Sequence, residues 1–309
     1  MIKDNYSVSN TALSCLEGET GEVVTRAAES LECLLCGSRQ HRPVFEELGV
    51  QILRCKRCGH VFSSYAGDAH YEGFWGAEVP QDEHFYWSKA RAKMHGDFRR
   101  EFLDGRSGRL LDMGCGLGFF LKTVASCEQW EAHGCEISPA AVHYARNTLG
   151  LQNVMVGRLQ DVSLPQHSFD IITMWDVLDH ILNPDPLLAR CHDLLREDGI
   201  LFIRTPNVFN QLLRARVKKA VRGLRPGVSY LMARDHFHHY SQASIRKLLR
   251  RNGFRSVEFT HLHPIEGLSK SGPVVRGFKR LSFQAVQGLA VASMGYLNFD
   301  NLFVVGKKS

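Results

Sequence analysis

The 309 residues include 38 Lys and Arg against 32 Asp and Glu, a formal net charge of +6, and 44% of them are hydrophobic. A chain of that size and composition can bury a large core, which excludes an intrinsically disordered protein and fits one α/β domain with a small addition. No uncharged apolar run reaches about 18 residues, and the opening MIKDNYSVSN lacks an apolar signal core, so neither a membrane span nor secretion is expected and the expected compartment is the cytoplasm.

Residues 1–28 are polar without a sustained period and read as a flexible tail. Over residues 29–65 the spacing predicts a zinc ribbon, because Cys33 and Cys36 are followed after 18 residues by Cys55 and Cys58. Each pair can wrap a tight turn around half of a tetrahedral metal, with Gly37 and Gly59 relieving the turns. Four thiolates would close the coordination shell, so the expected role of the zinc is structural. Residues 44–45 and 50–54 read as its short strands. The nine cysteines, an odd count in a reducing compartment, fit thiols or ligands better than disulfides. Residues 66–100 are rich in aromatics, among them Tyr71, Trp75 and Tyr86, and read as a linker that either packs against the next domain or forms a lid over its site.

The domain expected over 101–309 opens with RLLDMGCGLGFFL at 109–121, an apolar strand, a glycine turn and a helix start. Gly114, Gly116 and Gly118 tolerate unusual backbone angles and leave room for a ligand. The next strand, 130–136, ends on Glu136, where such folds hold a ribose diol. Phe119 stands where a dehydrogenase G-x-G-x-x-G pattern needs its third glycine, which excludes hydride transfer. Further strands near 153–156, 169–175, 199–204, 254–262 and 301–305 alternate with helices, predicting a doubly wound parallel sheet with ligands at the carboxyl ends of its strands.

LLDMGCGLG, GCEISP, SFDIITMWDVLDHILNP and LREDGILFIRTPN follow one another in the order found in a known family. Over roughly residues 100–309 the chain resembles the class I S-adenosylmethionine-dependent methyltransferases, in the branch of ubiquinone-biosynthesis and sugar-modifying enzymes. The resemblance implies a Rossmann-like seven-stranded sheet with an antiparallel last strand at 302–305. It also implies S-adenosylmethionine bound by Asp112, Gly114, Cys115, Gly116, Glu136, Ile137, Leu159, Gln160, Asp161 and Trp175. Where the family often has an acid beside the adenine this chain has Arg158, so that contact falls to the Leu159 and Gln160 backbone or to the Gln160 side chain.

The family places the acceptor beside WDVLDH at 175–180. If a helix starts there, Asp176 and His180 share a face. Three readings compete for His180: a general base, a metal ligand with Asp176 and Asp179 (as in some relatives with E-x-x-E-H at this place), or a structural hydrogen-bonding group. In RDHFHHYS at 234–241, an extended segment would aim His236 and His238 together. These histidines, with His239, either line the acceptor side and supply the base or the last metal ligands, or cap and pack the next helix. Helical insertions are expected at 207–233 and 267–297. The first carries Arg214, Arg216, Lys218, Lys219, Arg222 and Arg225 with no acid between 211 and 225, which suits a solvated face or contact with a nucleotide-sugar phosphate, anionic lipid or RNA. The expected activity is methyl transfer to a hydroxyl of a small-molecule, sugar or lipid-linked acceptor. One alternative is an rRNA or tRNA methyltransferase that touches phosphates with Lys56, Arg57 and the basic segment; another is a non-catalytic cofactor-binding scaffold.

Overall fold

Apolar runs of Leu, Ile, Phe and Met build the strands of the larger of two sheets in the computed structural model. Its described residues are Thr25, 30–65, 81–223, 229–265, Gly288 and 301–308. The expectations for the tail, for Tyr71 and Trp75, for Arg225 and for nearly all of the 267–297 insertion lie outside them.

In chain order the elements are strands β1 (His41–Glu47), β2 (Val50–Cys55) and β3 (Val61–Ser63), then helices α1 (Gln81–Ser88) and α2 (Ala92–Phe98). There follow β4 (Gly108–Met113), α3 (Phe119–Ala125), β5 (Trp130–Glu136), α4 (Pro139–Asn147), β6 (Val154–Val156), β7 (Phe169–Trp175), α5 (Asp185–Leu194) and β8 (Leu195–Pro206). The chain continues with α6 (Val208–Arg222), β9 (His238–His239), α7 (Gln242–Arg251), β10 (Ser256–Thr260) and β11 (Asn301–Lys307).

The larger sheet has seven strands in the order β10-β11-β8-β7-β4-β5-β6. β4 to β8 pair in parallel, and β11 runs antiparallel between β8 and β10, as the resemblance implied. The period of two in a strand is visible in the packing. Leu111, Met113, Ile172, Met174, Leu201 and Ile203 join one buried cluster, while Leu110, Ile171, Trp175 and Phe202 join the other. Both faces are therefore covered, which is why the strands read as continuous apolar runs. Local signals set the helix starts: Ser138 accepts from Ala141 N with Pro139 in the first turn, Asn207 accepts from Phe209 N, and Ser241 with Ser244 forms a reciprocal capping box.

The smaller sheet has the order β1-β2-β3-β9, so its fourth strand comes from residues far along the chain. Cys33, Leu35, Leu53, Cys55 and Phe62 share a buried cluster with residues of β7, β8 and α7. Val50, Ile52 and Val61 pack against Val208, Leu212 and Ala215 of α6. Glu47, at the end of β1, is 3% exposed, and its carboxylate accepts hydrogen bonds from Tyr230 N, Leu231 N, Ala233 N and Ser229 Oγ. Bonds to a charged acceptor contribute about 1.5–3 kcal/mol each, so this one carboxylate fastens the 229–233 loop to the small sheet. The small sheet, with Cys55 at the end of β2, is thereby continuous with the rest of the fold.

Asp112 on β4 is 2% exposed and accepts a 2.6 Å hydrogen bond from Thr173 Oγ1 on β7. Burial pushes its carboxyl up to about 8, against the Thr173 hydroxyl and with the help of the Glu136 charge. An unfolded aspartate ionises near pH 3.9, roughly. Between the two values the folded chain therefore holds a proton that the unfolded chain has lost, and stability falls as pH rises. Urea unfolding of the cofactor-free chain should show lower stability at about pH 8 than at about pH 5, with a shallower slope in Asp112→Asn. Equal slopes in the two proteins would show that Asp112 is not buried in its protonated form.

Candidate cofactor and acceptor site

The carboxyl ends of β4, β5 and β7 supply the first half of the site. After β4 the chain turns at Gly114, whose φ of +65° favours glycine and whose Cβ, if present, would lie 2.7 Å from Val177 Cγ2. Gly114 N and Cys115 N both donate to Cys135 O on β5, at 2.8 and 3.2 Å. Gly116, with φ +52°, donates its N–H to Glu136 Oε2 at 2.8 Å, and Ser138 N donates to Glu136 Oε1 at 2.9 Å. Burial pushes the Glu136 carboxyl up, while the N–H groups of Ser138, Gly116 and Ile137 pull it back toward its ionised form. An ionised carboxylate only accepts, and two backbone donors leave it lone pairs for a vicinal diol. This donor set fits the ribose of an adenosyl group.

The loop after β6 is fixed to the same corner: Gly157 N donates to Glu136 O at 2.9 Å, and Cys135 Sγ contacts Gly157 O at 2.9 Å. Leu159 is fully buried in the core, so only its backbone can face a ligand, whereas Gln160 and Asp161 are exposed. Cys115 is likewise buried, and burial pushes its thiol well up, so only its backbone could face a ligand. Trp175 ends β7 in an aromatic cluster with Phe98, Phe120 and Phe202, at centroid distances of 5.6, 4.9 and 5.0 Å. Its Nε1 has no hydrogen-bond partner among the described residues.

The acceptor side departs from the sequence expectation at Asp176. No α-helix starts there. Asp176 has a left-handed φ of +57°, and a short 3₁₀ turn follows over Leu178–His180. The i, i+4 face shared by Asp176 and His180 is therefore absent. The Asp176 carboxylate instead lies between Arg91, at 3.0 Å, and Arg204. Burial opposes its charge, but Arg204 and Arg91 outweigh burial and hold the carboxyl below its usual range. Arg91 is itself stacked over Trp87, 4.1 Å from the ring centroid, and donates to the Tyr86 hydroxyl at 3.4 Å. Tyr86 thus touches the clamp around Asp176. Removing one partner of a buried ion pair costs about 3–5 kcal/mol, which makes the clamp a structural anchor for the end of β7.

Asp179, His180 and His236 form the compact group, with one donor atom from each within 4.8 Å of the others. Asp179 Oδ2 lies 3.1 Å from His236 Nε2 and 3.8 Å from His180 Nε2, while Asp179 Oδ1 accepts from Thr205 Oγ1 at 3.3 Å. His180 Nδ1 lies 3.2 Å from the Asp235 carbonyl and 3.3 Å from its carboxylate. Burial holds the His236 imidazole well below its usual value and the Asp179 carboxyl above its own. His238 is placed elsewhere. It pairs with Phe62 in the small sheet, with Nδ1 3.2 Å from His60 Nε2 and Nε2 3.0 Å from Leu182 O. His236 precedes the short strand in the loop that hydrogen-bonds Met232 and Asp179, so simple strand alternation does not carry it to the side of His238. Arg91, Arg204, Asp235 and His60 escaped the sequence reading. Only Asp235, inside the histidine-rich run, stood beside a visible signal.

A methyltransferase domain family matches residues 86–258. Ubiquinone biosynthesis O-methyltransferase from Neisseria meningitidis serogroup C is 29% identical over 119 residues, covering 35% of this chain and 50% of the relative. The protein of the same name from Xanthomonas oryzae pv. oryzae is 29% identical over 140 residues, covering 43% and 56%. The chain spans about half the length of these curated relatives. Solved structures share the fold. Phosphoethanolamine N-methyltransferase 2 of Haemonchus contortus, in complex with S-adenosyl-L-methionine, gives a TM-score of 0.50 at 16% identity, over 81% of this chain and 63% of that one. The Haloferax volcanii complex of the Trm112 methyltransferase activator with a putative methyltransferase gives 0.51 at 14% identity, over 79% and 100%. With more than half of its length inside the family match and the seven-stranded order to go with it, the chain belongs to the class I S-adenosylmethionine-dependent methyltransferases.

Proposed function

We propose that the chain transfers a methyl group from S-adenosylmethionine to a hydroxyl of a small-molecule, sugar or lipid-linked acceptor. The observation that carries the reading is the Glu136 carboxylate, held at the glycine turn by Gly116 N and beside the loop of Gln160 and Asp161. When bound, the cofactor supplies a methyl already activated by a positive sulfur. The protein's own tasks are then to align the acceptor and to take its proton.

His180 is the proposed base. Donation from its Nδ1 to Asp235 would place the lone pair on Nε2, and Asp179, 3.8 Å away, would stabilise the imidazolium that forms. Its side chain is 15% exposed, whereas His236 is 6% exposed, so His180 has the better access to an acceptor. The alternative use of the same group is a divalent-metal site, for which one carboxylate and two imidazoles are suitable ligand chemistry. An oxygen acceptor is supported by the O-methyltransferase names of the relatives. No helix among the described residues is long and apolar enough to cross a membrane. The exposed Lys56 and Arg57 at the second cysteine turn keep RNA as the runner-up acceptor.

We also propose that Cys33, Cys36, Cys55 and Cys58 hold a structural zinc. Their sulfurs lie within 4.8 Å of one another, with Cys33 and Cys58 at 3.4 Å and Cys36 and Cys55 at 3.6 Å. Those spacings exceed the disulfide length of about 2.05 Å and approach the edge of about 3.8 Å expected for sulfurs bound at about 2.3 Å around tetrahedral zinc.

Incubation with methyl-labelled cofactor and fractionated cell extract should label small organic material. Label in RNA would favour the runner-up, and no label would favour a non-catalytic cofactor-binding scaffold. His180→Ala should lower turnover by about 10²–10⁴-fold with cofactor affinity unchanged; full turnover would end the base assignment. Activity lost to a chelator and restored by a divalent ion, with the zinc of the four cysteines retained, would favour the metal alternative. Metal analysis should find about one zinc per chain, lost in Cys55→Ser, and unchanged zinc in that variant would remove the ribbon assignment.

A further inference from the structure

Helix α6 is buried on one side and carries a second apolar side that nothing in the mechanism uses. Val208, Leu212 and Ala215 pack on the small sheet. Phe209, Leu213, Val217 and Val221 recur every fourth residue and are 64%, 51%, 52% and 74% exposed. At about 100° per residue these four span an arc of roughly 120° that points away from the buried side and is interrupted, in the first turn, by the buried Asn210. Arg214 and Arg216 are exposed at the two edges of that arc, and Arg216 also donates to Val44 O at 3.4 Å. Lys218 and Lys219 reach over the Tyr230 and Phe45 rings, at 5.6 and 5.5 Å. The helix, VFNQLLRARVKKAVR, contains no acid.

We propose that α6 docks on an anionic lipid surface, with Phe209, Leu213, Val217 and Val221 in the boundary between headgroups and acyl chains and the flanking arginines on lipid phosphates. A helix with large exposed apolar residues on one side and a basic polar rim lies in the plane of such an interface. Each Lys or Arg held at an anionic surface adds to the attraction. A second copy packed ridge to ridge would bring the basic edges of two acid-free helices together, which is repulsive. RNA would contact the arginines but leave the four apolar side chains without a counterpart. Anionic lipid answers both features.

The position of the helix gives docking a consequence. Asn207 caps α6 two residues after Thr205, whose hydroxyl donates to Asp179 in the candidate acceptor group. A docked α6 would keep that end of β8 close to the lipid surface. The docking itself does not depend on which acceptor is methylated.

The full chain should float with phosphatidylglycerol-phosphatidylcholine vesicles at low salt and bind pure phosphatidylcholine vesicles at least about tenfold more weakly. The double substitution Leu213→Glu with Val217→Glu, at exposed positions, should weaken binding to the anionic vesicles by at least about tenfold, with far-UV circular dichroism and cofactor affinity unchanged. In Phe209→Trp, the emission of the new indole should shift to the blue on anionic vesicles only. The proposal is overturned if the chain stays with the soluble fraction in every mixture, or if the doubly substituted chain floats as well as its parent. It is also overturned if the double substitution breaks a dimer of a chain that binds no vesicle, or if the helix retains RNA but no lipid.

Discussion

A buried carboxylate that accepts from two turns at once organises the catalytic end of this protein. Glu136 takes the N–H of Gly116 from the turn after β4 and the N–H of Ser138 from the start of α4, while its own carbonyl takes the N–H of Gly157 from the loop after β6. Three consecutive connections are thereby tied to one residue at the carboxyl end of β5. Burial opposes the charge on Glu136, and the converging N–H dipoles offset that cost. A carboxylate prepared in this way would present acceptors to the sugar diol proposed to bind there without further reorganisation, which is the condition for tight and oriented binding.

The end of β7 is held by a different device. Arg91 and Arg204 enclose the carboxylate of Asp176, and Tyr86 and Trp87 hold Arg91 in place. Residues that look like active-site acids can thus serve as anchors. Asp176 fixes the end of β7 so that Asp179 and His180, on the short turn that follows, meet His236 and Asp235 from the distant loop. The small sheet contributes to that meeting. β9 begins two residues after His236 and pairs with β3, so the small sheet and the loop that carries His236 are joined by backbone hydrogen bonds and by the contact of His60 with His238.

The parallel sheet was legible because its strands are continuous apolar runs and because glycine, acid and proline signals stand at fixed offsets between them. The four cysteines were legible for a similar reason, since their spacing is local within each pair. Side-chain partnerships between distant segments were not. Nothing in WDVLDH distinguishes an aspartate clamped by arginines from one aimed at substrate, because Arg91 lies 85 positions before Asp176. The expected pairing of His236 with His238 assumed a regular extended segment, whereas only His238 and His239 form a strand and His236 belongs to the preceding loop. The fourth strand of the small sheet escaped notice for the same reason: two residues give no periodicity.

The most direct test of this account is calorimetric titration of S-adenosylmethionine into the folded chain and into Glu136→Ala. The account predicts one site per chain in the parent, weakened on the order of 100-fold in the variant through loss of two charge-assisted hydrogen bonds, with the fold retained by circular dichroism. Binding of equal strength in both proteins, or no binding to the well-folded parent, would contradict it.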